Sequence, residues 1–191
     1  MKNGGVFFLV RAFYAVEVTN QDVIHNLLGF QDELLRTGGA GLKPVERENL
    51  HITLLFLGEI DENAVALASE ALNSIELKPF EVEFNGAGYF PGGGRINVIW
   101  VGVKTGAEEL KTIHTFLKRN LSRLRLEDEK FVPHLTVCRV KFIQNKNSLL
   151  QTISKNADKY FGKQNVEKIV LKKSVLTSTG PVYSDLAVKH L

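Results

Sequence analysis

The sequence predicts an α+β fold with many antiparallel strand neighbours, built as two halves related by a pseudo-two-fold axis. Three observations carry this. β-favouring runs and helical stripes follow one another as strand-helix-strand-strand, helix, strand-strand-helix, strand, helix, strand-strand, so many strands are joined by short connections. A short pattern, His-x-Thr inside an apolar run, occurs twice, at His51-Ile52-Thr53 and His134-Leu135-Thr136. The second copy follows the first by a little under half the chain, although no true sequence repeat links the halves.

Taken in order, Val6 to Val18 is one β-favouring run rich in Val and Phe. Thr19 is the expected cap of a first helix, with Asp22 three residues on. Val23, Ile24, Leu27, Leu28, Leu34 and Leu35 form its apolar stripe, and Gly38, Gly39 and Gly41 stop it. Leu42 to Val45 reads as a short extended piece. Lys43 and Arg47 then place positive charge ahead of the first His-x-Thr strand, which Gly58-Glu59 closes.

Asp61 is expected to cap a second helix over residues 62–75, with Val65, Leu67, Ala68, Ala71 and Leu72 on its inner face. A strand over 80–88, a turn at 89–94 and a strand over 95–103 make a hairpin. The Gly92-Gly93-Gly94 run lacks the Lys-Ser/Thr and the helix that a phosphate-cradling loop needs. A third helix over 107–124 buries Leu110, Ile113, Leu117, Leu121 and Leu124, with His114 near that stripe as a structural or surface residue. Lys118, Arg119, Arg123 and Arg125 complement its C-terminal dipole. The second His-x-Thr strand runs through Arg139 to Phe142. A fourth helix is expected from Asn147 or Ser148 to about Phe161, ended near Gly162. A closing hairpin then spans 166–178 and 182–189 around Thr179-Gly180-Pro181.

Composition narrows the class. Hydrophobic content of 44% and charged content of 24% are those of a globular protein, and 191 residues can bury a sizeable core. The net charge of +3 is compatible with a phosphate-bearing ligand. One Cys leaves no internal disulfide framework, which suits a reducing cytoplasm, the expected location. Gly5 to Val10 is apolar but far too short to span a bilayer; cut by Arg11 and without a small-residue cleavage site, it does not read as a signal peptide. No membrane association is expected.

The chemistry lies in the repeated triplet. Side chains of a strand alternate, so His51 and Thr53 share one face while Leu50, Ile52 and Leu54 point into a core. A lone His in an apolar strand is ordinarily a satisfied core residue. Two such triplets side by side would bring two imidazoles and two hydroxyls to one cleft. Zinc chemistry wants a third ligand at defined spacing, and neither triplet has a carboxylate beside its His. No metal or cofactor is therefore expected.

The two triplets and their flanks resemble the two-histidine phosphoesterase superfamily, and specifically its RNA 2′,3′-cyclic phosphodiesterases, historically called 2′-5′ RNA ligases. The resemblance spans nearly the whole chain in five islands: 11–16, 48–59, 90–91 with 98–102, 133–140, and 171–176 with 180–183. Family members tend to begin at or just before the Arg11-Ala12-Phe13 strand, so residues 1–10 are expected to be an N-terminal extension on a single two-lobed domain. The implied fold is bilobal, with two mostly antiparallel sheets lining a central cleft and helices outside.

The implied activity is metal-independent hydrolysis of RNA 2′,3′-cyclic phosphate ends to 2′-phosphates, with reverse, ATP-independent 2′-5′ ligation as a side reaction. By resemblance, His51 is the proton donor to the leaving oxygen and His134 the proton acceptor that activates water. Two imidazoles flanking one phosphate suit this, since His titrates near neutrality. Thr53 and Thr136 would donate to the non-bridging oxygens. Arg139, further along the second strand and expected on the face of Thr136, is a candidate phosphate contact. Phe13 and Phe56 are candidates for base stacking, although core positions suit both. The expected partner is RNA with a 2′,3′-cyclic phosphate end, tRNA-like or a shorter oligoribonucleotide, acted on by a monomer. Two alternatives stand beside this: a non-catalytic RNA-binding module, and a phosphodiesterase for another cyclic phosphate, such as a nucleotide-derived one.

Overall fold

In the computed structural model, residues 9–92, 95–127, 130–178 and 180–191 are described. The expected extension over 1–10 and the glycine turn at 93–94 lie wholly or largely outside these residues, as does Thr179 of the closing turn. Among these residues nine strands and four α-helices follow in the order β1 (Val10–Glu17), α1 (Gln21–Arg36), β2 (Ala40–Pro44), β3 (His51–Ile60), α2 (Glu62–Asn73), β4 (Phe80–Gly92), β5 (Arg95–Val103), α3 (Ala107–Asn120), β6 (His134–Ile143), α4 (Lys146–Lys155), β7 (Tyr160–Val166), β8 (Lys168–Leu176) and β9 (Pro181–His190). All pairings are antiparallel, so the α+β expectation holds. Among the described residues no helix is long and apolar enough to cross a membrane.

The strand order is β7-β4-β5-β6-β3-β1-β8-β9, with β2 added to β6. The two expected sheets are thus wings of one curled sheet, joined at its centre, among the described residues, through the pair of Ile52 with Leu135. Helices α1 and α4 pack on the wing of β4 to β7, and α2 and α3 on the wing of β1, β3, β8 and β9. Most of the apolar stripes read from the sequence face those wings: Val23, Ile24, Leu27 and Leu34 of α1 are buried, as are Leu110, Ile113 and Leu117 of α3. Leu35 is exposed, whereas Phe30, not read as part of the stripe, is buried in its place.

Several boundaries differ from expectation for local reasons. Asn20, not Thr19, caps α1, accepting from Asp22 N and Val23 N. The amides of Thr19 and Asn20 both donate to Gln164 Oε1, which holds the chain extended up to the helix. Residues 89–92 belong to β4 rather than to a turn, and α3 ends four residues early, at Asn120.

The main omission is β7. The sequence reads as the end of a fourth helix there, but α4 stops at Lys155 and Tyr160–Val166 pairs with β4 along the edge of the sheet. Gly162 made the stretch look like a helix stop. It is needed instead because α1 packs directly on it: a Cβ there would lie 2.8 Å from Val23 Cγ2, at a φ of +116° that side chains rarely adopt. Gln164 ties this edge back to β1, its Nε2 donating to Glu17 O at 2.8 Å.

Candidate active site

β3 and β6 run side by side through the centre of the sheet, and the register of Ile52 with Leu135 decides what faces what. In antiparallel strands the residues on either side of a matched pair also match. His51 therefore lies across from Thr136, and Thr53 across from His134. These four side chains line a cleft of about 620 Å³, together with Phe56, Phe90, Arg139 and Tyr183.

Both imidazoles are held the same way. His51 Nδ1 lies 2.7 Å from Asn49 O, and His134 Nδ1 lies 2.7 Å from Val132 O. A carbonyl only accepts, so each Nδ1 carries its proton and each neutral ring presents the lone pair of Nε2. His51 Nε2 meets Thr53 Oγ1 at 2.9 Å. Aromatic rings wall both: Phe13 and Tyr183 lie 5.1 and 5.5 Å from His51, and Phe90 and Trp100 lie 4.7 and 6.4 Å from His134.

Enclosure makes both rings hard to charge. Burial pulls His51 down to about 4, with Lys172 and Arg139 adding repulsion against the bond to Asn49 O and the charge of Glu17, which favour its cation. Burial also lowers His134, against the bond to Val132 O. Behind His51 lies a charged cluster: Lys172 Nζ reaches Glu17 Oε1 at 2.7 Å and Asp185 Oδ1 at 2.6 Å, while Lys168 holds Glu17 Oε2 at 2.7 Å. Glu17 is the cross-strand partner of His51, which brings this cluster next to the site.

Arg139 reaches the cleft by a route that alternation does not give. It stands three residues after Thr136, so an unbroken strand would turn it to the opposite face. A β-bulge intervenes: Ile99 pairs with Cys138 and Trp100 with Thr136, which leaves Val137 unmatched and shifts the phase by one. β3 carries the same device, since Tyr14 pairs with Leu55 and Ala15 with Thr53, leaving Leu54 unmatched. Phe56 is thereby turned into the cleft, 52% exposed.

Phe13 requires a correction. It is 1% exposed, packed among His51, Phe56 and Tyr183, and has no free face on which a base could stack. It is a wall for His51. Tyr183, Phe90 and Trp100 were not picked out as site residues, because their distance in sequence from the triplets hides the cross-strand contacts. His114, expected to be a structural or surface residue, is structural. It lines the cleft, its Nδ1 donates to Leu54 O at 2.7 Å, and its ring stacks on Phe131 at 4.4 Å and 5°.

The chain is similar to known proteins in both sequence and fold. The family described as LigT-like phosphoesterase matches residues 17–100 and 101–183. An RNA 2′,3′-cyclic phosphodiesterase of Archaeoglobus fulgidus is 38% identical over 180 residues, covering 94% of this chain and 99% of the relative. One from Aeropyrum pernix is 39% identical over 166 residues, covering 86% and 94%. A crystal structure of a Thermus thermophilus protein superposes with a TM-score of 0.76 at 29% identity, covering 95% and 97% of the two chains. The overall fold is thus shared with that structure.

Proposed function

This chain belongs to the LigT-like phosphoesterase family, and from that premise we propose that it hydrolyses RNA 2′,3′-cyclic phosphate ends to 2′-phosphates without a metal. The observation that carries the reading is the pair of Nε2 atoms presented to one cleft with two threonine hydroxyls. A cyclic phosphate between them meets a base on one side of phosphorus and an acid on the other.

In the proposed reaction His134 Nε2 takes a proton from water as the water oxygen bonds to phosphorus. The P–O3′ bond breaks, and protonated His51 delivers its proton to O3′. The product carries a 2′-phosphate and a free 3′-hydroxyl. Charge that develops on the non-bridging oxygens is met by the Thr53 and Thr136 hydroxyls, while Arg139 holds the anionic phosphate in the cleft. Phe56, exposed at the cleft, is the candidate platform for a base.

His51 is the harder of the two rings to charge in the free site, so its donor role depends on the substrate. An anionic phosphodiester beside Nε2 raises the imidazole and offsets the repulsion from Lys172 and Arg139. The substrate is RNA with a cyclic phosphate end, tRNA-like or shorter, and the active unit is the monomer.

The test is an assay in chelator on an oligoribonucleotide ending in a 2′,3′-cyclic phosphate. Wild-type protein should yield the 2′-phosphate, and His51→Ala and His134→Ala should each abolish turnover. Binding without conversion would overturn the enzymatic reading in favour of an RNA-binding module.

A further inference from the structure

The two bulges that shape the cleft are held by two helix side chains, and their placement is crossed. Gln31 of α1 is 4% exposed and donates through Nε2 to two carbonyls at 2.8 Å each, Val137 O and Val45 O. Val137 is the bulge residue of β6, directly after Thr136. Val45 begins the short segment that ends at Asn49, whose carbonyl orients His51. One amide therefore ties the strand of one triplet to the segment that aims the histidine of the other.

His114 of α3 does the same in the opposite half. Its Nδ1 donates to Leu54 O, the bulge residue directly after Thr53. Its ring stacks flat on Phe131, the neighbour of Val132, whose carbonyl orients His134. Gln31 and His114 are eighty-three residues apart, as are Leu54 and Val137, and as are the two cleft histidines.

We infer that Gln31 and His114 are crossed positioning residues, each coupling one His-x-Thr strand to the segment that orients the opposite histidine. The inference rests on the roles proposed above for His51 and His134. Gln31 does not line the cleft, and His114, which does, has its Nδ1 committed to Leu54 O. Each limits how far the two Nε2 atoms can drift from the geometry that lets one accept and the other donate a proton, where displacements near 1 Å cost on the order of 100-fold in rate.

The pseudo-symmetry supplies the discriminating variants. His114→Leu removes both contacts, His114→Gln keeps a donor for Leu54 O but no ring for Phe131, and Gln31→Leu removes the other brace. Nitrogen-15 spectra of the imidazoles report whether the proton sits on Nδ1, and they are read on the free protein beside thermal midpoints, kcat and KM. In His114→Leu and His114→Gln the His134 signature should lose its Nδ1–H bias while that of His51 stays. In Gln31→Leu the pattern should reverse. For His114→Leu and Gln31→Leu, kcat should fall by about 10-fold or more with KM little changed.

A lower thermal midpoint with both tautomers and kcat unchanged would overturn the inference, as would equal disturbance of both histidines in every variant. If His114→Leu does not fold, His114→Gln carries the same decision. If wild-type protein opens no cyclic phosphate, the proposed function fails, while the crossed pattern in the spectra still decides the braces.

Discussion

Ile52 and Leu135, the middle residues of the two His-x-Thr triplets, face each other as the one pair joining β3 to β6 among the described residues. Both are fully buried. Because equivalent residues of the two halves meet, the pseudo-two-fold axis passes between them. The cleft lies on the opposite side of the same two strands, which is why a His and a Thr from each half meet there. The core contact and the chemical site are two faces of one strand pair.

Activity should be greatest on the acid side of neutrality. The proposed reaction needs one proton shared between the two imidazoles, and both rings are held below the ordinary His value of 6.5, His51 at about 4. Profiles of kcat/KM report the free protein. The alkaline limb should therefore fall below pH 6.5 and the acid limb near pH 4. A proton on His51 or on His134 gives the same profile, because the two forms differ only in which ring holds it. An optimum above pH 7 in kcat/KM would contradict the enclosure described for these rings.

Acid should destabilise the fold partly through His51. Its folded pKa is depressed, so the unfolded chain binds the proton more readily and stability falls as pH drops from about 6.5 to 4. The contribution is on the order of 3 kcal/mol at the low end of that window. Denaturant titrations at pH 7 and pH 4 should show a smaller loss in His51→Gln than in wild type. Equal losses would assign acid sensitivity elsewhere.

Thr53→Val and Thr136→Val keep the β-branched shape and delete the hydroxyl. Each should lower kcat by about 100-fold if the hydroxyls meet charge that develops in the reaction. Thr53→Val also frees His51 Nε2 from its bond at 2.9 Å, so only this variant should shift the His51 titration. Steady-state kinetics and histidine titrations on both variants check this.

Arg139→Met should raise KM by about 10-fold and leave kcat nearer wild type, since an exposed cation contributes mainly binding. It should also weaken the salt dependence of KM. Removing this cation relieves one of the charges that lower His51, so the acid limb should move up in pH. Unchanged KM would return Arg139 to a surface role.

Gly88→Ala tests the wall beside His134. A Cβ at this position would sit 2.3 Å from Trp100 Cζ2, so the indole lies directly on the glycine backbone. The substitution must displace Trp100 and should cost about 1–3 kcal/mol, with a loss of activity. Gly29→Ala is the control: it lies within α1 with nothing inside 4 Å and should stabilise by about 0.5–1 kcal/mol. Thermal midpoints of the two variants should move in opposite directions.

The order of the helices and eight of the nine strands was legible because each has a local signal. Asp61 caps α2 as its position suggests, and the stripe of Leu110, Ile113 and Leu117 turns α3 inward. β7 was not legible. Gly162 and the polar Gln164 look like loop residues until α1 is seen packed on one and β1 bonded to the other.

The sequence alone determined which side chains are the candidates for the chemistry. A period of two places each His beside its Thr, and apolar neighbours commit the opposite face of each strand to the core. Tertiary structure decided the rest. The match of Ile52 with Leu135 brings the triplets together, the bulges at Leu54 and Val137 turn Phe56 and Arg139 into the cleft, and Gln31 and His114 hold those bulges. The reason is physical: alternation is a property of one strand, whereas register, bulges and the depression of an imidazole pKa arise only when distant strands share one buried surface.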